Sequence, residues 1–127
     1  MSKYGEAAIL AVELIESGKA TDPEDGWKQA VRKVFPASQP LQRKGCPKGA
    51  FLGLCSQGLV QGIDAGPYGQ PTKNGEYAVG AAEVLRANRF LCSQPALLWK
   101  KVAGPSKTEN NQMEVVIALW QAGRIRT

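Results

Sequence analysis

The chain has 127 residues, 43% of them hydrophobic and 21% charged, and a formal net charge of +5. That length suits one domain whose core is stable without disulfide or metal staples, and the composition is ordinary for a globular protein. Histidine is absent, which removes the commonest general base, the Ser/His and Cys/His nucleophile pairs and the usual zinc ligand sets. Every legible element is a helix, and the reading is all-α: a single compact bundle of about six helices spanning 1–127. Residues 3 to 17 are apolar around most of their circumference, with Glu6, Glu13 and Glu16 marking a narrow wet face, and Gly18 closes the helix as a C-terminal cap. Asp22-Pro23-Glu24-Asp25 is a second start signal: a cap, a first-turn proline and acids at the positive helix end. Trp27, Ala30, Val31, Val34 and Phe35 follow at helical spacing, and Pro36 stops the run.

Residues 36 to 45 read as a proline-punctuated connector. Pro47 opens a third helix over about 47–57 that buries Ala50, Phe51, Leu54 and Cys55 and ends at Gly58, after which Leu59 and Val60 return to the core. Residues 61 to 71 are the longest irregular segment, and loops of that length in a compact domain are frequently functional. Thr72 caps a fourth helix over about 73–88. Ser93 is the expected cap of a short fifth over 95–103, and Asn111 with Glu114 reads as the capping box of a sixth. Gly123 ends that helix and leaves a basic tail, Arg124-Ile125-Arg126-Thr127.

No apolar run approaches the roughly 20 residues needed to cross a membrane. Met1-Ser2-Lys3-Tyr4-Gly5-Glu6 enters a helical pattern without the separate basic and apolar regions of a signal peptide. Three cysteines, an odd number, read as reduced thiols in a cytoplasmic protein. They show no CxxC spacing, so no metal site is expected, and with no specific phosphate-cradling motif in the chain no cofactor is expected either.

Gly45, Gly49 and Gly53 recur every fourth residue on the third helix. Glycine inside a helix costs about 1 kcal/mol relative to alanine, so a repeated glycine face implies close approach by a second backbone or by a ligand. A groove is therefore expected where Gly49 and Gly53 meet the 61–72 loop, with Tyr68 and Lys73 brought over it. Charge is unevenly spread: from Lys28 to Ile63 there is no acid, while Lys28, Arg32, Lys33, Arg43, Lys44 and Lys48 all lie there. That stretch permits binding of nucleic acid or another polyanion. Cys46 sits at a helix start beside Lys44 and Lys48, where a thiolate is favoured, and is the one candidate catalytic residue. The segments 95–103 and 111–122 fall short of a DNA-reading helix-turn-helix: the join is too long, and the second helix offers no base-reading cation.

The run Cys46-Pro47-Lys48-Gly49-Ala50-Phe51-Leu52-Gly53-Leu54-Cys55, with Gly58-Leu59-Val60 and the late Asn111 to Trp120 segment, resembles a family of short bacterial proteins known as a domain of unknown function. The resemblance spans most of the chain and implies a bacterial, intracellular, single-domain protein, with no activity or ligand attached. The functional expectation is a non-catalytic interaction module binding a protein or small ligand. The alternatives are a sequence-tolerant nucleic-acid binder through residues 28–48 and, third, a thiol-dependent enzyme at Cys46.

Overall fold

A computed structural model describes residues 2–127. It is all-α. Among the described residues seven helices run in chain order as α1 (Lys3–Glu16), α2 (Pro23–Val34), α3 (Gln39–Gln42), α4 (Gly45–Ser56), α5 (Lys73–Ala87), α6 (Pro95–Ala103) and α7 (Gln112–Gln121), with a 3₁₀ turn at Arg89–Ser93. The only β pairing among the described residues is an isolated antiparallel bridge between Val60 and Ile125.

The start signals of α2 and α5 act as their residue types dictate. The Asp22 carboxylate accepts the Asp25 N–H and the Thr72 hydroxyl oxygen accepts that of Gly75, each satisfying a donor that the first turn leaves free. Gly18, Gly58 and Gly123 all adopt positive φ just past a helix end. After each, the next N–H reaches back to the carbonyl of Leu14, Leu54 or Leu119, the closure that only a left-handed residue allows.

Four local readings give way to other geometry. The connector after α2 contains the single turn α3, because the Ser38 hydroxyl accepts the Leu41 N–H and Pro40 fits a first turn. Helix α4 starts two residues before the expected 47, at Gly45. Ser93 caps nothing: it closes the 3₁₀ turn by donating its hydroxyl to the Phe90 carbonyl at 2.9 Å, and α6 begins at Pro95 without a side-chain cap. Asn111 takes a left-handed conformation (φ 74°), so the capping box is not made. Its amide instead meets the Glu114 carboxylate, and Glu109 accepts the Met113 N–H at 2.9 Å.

The basic tail is docked rather than free. Ile125 is buried, the Gln61 N–H donates to the Arg124 carbonyl at 2.7 Å, and the Arg126 N–H donates to that of Leu59 at 2.8 Å. Arg124 pairs with Glu16 at 2.8 Å. The loop after α4 and the chain end thus fasten each other.

The buried residues form one connected cluster, in which α1 packs on α2 and α7, and α4 on α5 and α7. Tyr4, Trp27, Phe35 and Phe51 form an aromatic row, with ring centroids 4.7 Å apart for Tyr4–Phe35 and 5.3 Å for Trp27–Phe51. Such offset contacts add to the area that they bury. The Tyr4 hydroxyl donates to the Leu41 carbonyl at 2.7 Å and ties α1 to α3.

Candidate functional site

Where α4 passes α5, the two backbones all but touch. A Cβ built on Gly53 would stand 2.3 Å from the Gly75 Cα, and one on Gly49 would stand 2.9 Å from the Asn74 Cβ and 3.0 Å from the Thr72 hydroxyl. Glycine at both positions is what lets the helices cross this closely. Gly45, the third member of the repeat, meets nothing within 4 Å and takes no part.

Beside this crossing the loop after α4 folds back, and Ser56 holds it there. The Tyr68 N–H donates to the Ser56 hydroxyl oxygen at 3.2 Å, that hydroxyl lies 3.3 Å from the Tyr68 carbonyl oxygen, and the Gly66 N–H donates to the Ser56 carbonyl at 3.2 Å. The Tyr68 phenol in turn donates to the Asp64 carbonyl at 2.9 Å. The loop therefore presents its Gly66–Thr72 arm as a fixed wall.

The helices and this wall enclose a cleft of about 640 Å³, lined by Gly49, Gly53 and Ser56 from α4, by residues 66–72, and by Gly75, Glu76, Val79, Gly80 and Glu83 from α5. Its surface is mostly apolar. Two carboxylates, Glu76 and Glu83, stand on its α5 side, and among the described residues no lysine or arginine lines it. Tyr68 lines the cleft as expected from the loop, but Lys73 does not: its ammonium lies on the outer surface, 3.4 Å from the Glu76 carboxylate. Ser56 and Gly75 were not visible as site residues in the sequence. A serine at a helix end is commonplace, and Gly75 acquires meaning only against Gly53.

The basic residues divide. Lys28, Arg32, Arg43 and Lys48 line a second concavity of about 990 Å³ bounded by α2, α3 and the start of α4. Lys33 is exposed outside it. Lys44 turns away to the Asn111 side-chain oxygen, its ammonium 5.9 Å from the Tyr4 ring centroid. Cys46 is half-buried in the first turn of α4 and lines neither concavity. Burial pushes the Cys55 thiol up, so that sulfur stays protonated in the core. Among the described residues no cluster of three cysteines and carboxylates is arranged to hold a metal ion.

No helix is long and apolar enough to cross a membrane among the described residues. The chain belongs to a family of unknown function (DUF6979), whose family model matches residues 1–126. No curated protein and no solved structure matches it.

Proposed function

We propose that the protein is a non-catalytic binding module that holds a small ligand with an apolar body and a positive charge in the cleft between α4, α5 and the 66–72 arm. The observation that carries this reading is the lining of the cleft. Glycine backbone, Pro67, Pro71, Tyr68 and Val79 supply slender apolar walls, and among the described residues the ionic groups lining them are two carboxylates, Glu83 and the Lys73-paired Glu76. A volume near 640 Å³ lies within the roughly 300–1,000 Å³ of small-molecule sites. The pinned loop supports binding, since a wall already ordered need not be ordered by the ligand. We also read the compartment as cytoplasmic, which the three free thiols favour.

Saturation-transfer NMR with a set of aromatic amines, acids and neutral fragments tests this reading. Amines should predominate among the binders, and Val79→Trp, which fills the cleft from α5, should abolish their signals while the helical circular dichroism is retained. Equal numbers of acids and amines among the binders, or signals unchanged by Val79→Trp, would refute it.

A further inference from the structure

The second concavity shares no lining residue with the glycine cleft. Lys28 and Arg32 lie one turn apart on α2, Arg43 follows α3, and Lys48 stands in the first turn of α4, so three separate elements bring a cation to it. All four side chains are exposed, and among the described residues none has an ion-pair partner. The Gln39 side chain lines the same surface, and Trp27 forms part of its buried floor, with an indole N–H that has no hydrogen-bond partner. Four exposed cations brought to one concavity from three elements raise the positive potential there and favour an anion.

The same groove also holds Asp22, Glu24 and Asp25, and they define its shape electrostatically. Asp22 caps the Asp25 N–H at 2.8 Å, and Asp25 accepts the Thr21 N–H at 2.9 Å and the Gln29 amide at 3.1 Å. Those two carboxylates are committed to the start of α2, and Glu24 reaches towards Gly69. Ten residues of helix separate Asp22 from Arg32, about 15 Å at 1.5 Å per residue. Along α2 the groove thus passes from carboxylates at its start, where the Lys28 charge acts on Asp25, to Arg32 at its basic end. An extended nucleic-acid strand following it would carry its phosphates past the carboxylates, whereas a compact anion can sit wholly among the cations.

We propose that the basic end of this groove binds the phosphate groups of a small polyphosphorylated molecule. The phosphate oxygens would share charge-assisted hydrogen bonds from Arg32, Arg43, Lys28 and Lys48, with each arginine able to supply two parallel donors.

Isothermal titration calorimetry of the full chain with inorganic tripolyphosphate, orthophosphate and a single-stranded oligothymidine tests the assignment. Tripolyphosphate should bind more tightly than orthophosphate, and its affinity should fall as sodium chloride rises. The double variant Arg32→Gln, Arg43→Gln should weaken it by about tenfold per charge removed, while Lys100→Gln, Lys101→Gln on α6 should leave it unchanged. Both variants alter exposed side chains, and circular dichroism checks that they fold. Absence of tripolyphosphate binding at low salt, equal weakening by the two double variants, or binding of the oligonucleotide but not of tripolyphosphate would each overturn the proposal.

Discussion

Gly53→Ala puts one methyl group into the tightest contact of the fold. Carbon atoms in contact sit about 3.5–4.0 Å apart, yet the new methyl would start 2.3 Å from the Gly75 Cα and 3.0 Å from its carbonyl carbon. Helix α5 must therefore retreat by about 1.2 Å or more. The obstacle is backbone, which cannot rotate aside, so the upper end of the usual overpacking cost of about 1–3 kcal/mol applies. Alanine returns up to about 1 kcal/mol of helix propensity, leaving a net loss of about 2 kcal/mol. Unfolding entropy of about 2.1 cal/mol/K per residue then converts that loss into a fall in Tm of about 7 °C for a chain of this length. Thermal unfolding followed at 222 nm measures it, with Gly45→Ala, whose methyl meets nothing within 4 Å, as the matched substitution that should not lower Tm. A Gly53→Ala protein melting at or above the parent temperature would show that the α4–α5 crossing is not close. It would also remove the reason for glycine there.

Ser56→Ala deletes the hydroxyl that meets both the Tyr68 N–H and its carbonyl. It should cost about 1 kcal/mol, and the amides of residues 64–70 should exchange faster with deuterium; unchanged exchange would show that Ser56 does not pin the loop. An aromatic disulfide reagent should label Cys46 and Cys92, which are half-buried, in the native protein, and Cys55 only after denaturation. Labelling of Cys55 at the rate of the other two would contradict its placement in the core. The Thr21 N–H holds Asp25 below the ordinary carboxylate range, with the Gln29 amide, the Thr21 hydroxyl and the Lys28 charge adding to it. The folded state therefore binds that proton less readily than the unfolded chain. The resulting stability is present above the unfolded pKa near 3.8 and is lost as pH falls through the lower folded value. Asp25→Asn should accordingly flatten the decline of Tm below about pH 4, and an acid limb as steep as the parent's would refute the assignment.

The sequence disclosed the helices best where capping chemistry and apolar spacing agree. Asp22 and Thr72 cap as read, and the three glycine closures fall at Gly18, Gly58 and Gly123. It misled where a polar residue had a competing partner. Ser93 bonds backward into a 3₁₀ turn, and Asn111 is diverted by Lys44 and Glu114. The turn α3 was hidden within a proline-punctuated connector, because proline at the start of a single turn and proline in a loop leave the same local trace. Gly49 and Gly53 could be read as a close approach from their spacing, although Gly45 in the same repeat meets nothing. The other half of the contact, Gly75, could not, because nothing local links it to α4. The same limit applied to the cations: proximity in sequence grouped six, and the turn of α2 and the start of α4 gather four of them round one concavity.

The proposed function makes the glycine cleft a binding site for a positively charged ligand. A ¹H–¹⁵N correlation titration with tryptamine, paired with its anionic counterpart indole-3-acetate, addresses that most directly. Tryptamine should shift the amides of Gly53, Tyr68, Gly75 and Val79 in a saturable way, Glu83→Gln should weaken the shifts, and indole-3-acetate should leave those amides in place. Equal shifts from both compounds, or tryptamine shifts confined to residues outside the cleft, would contradict it.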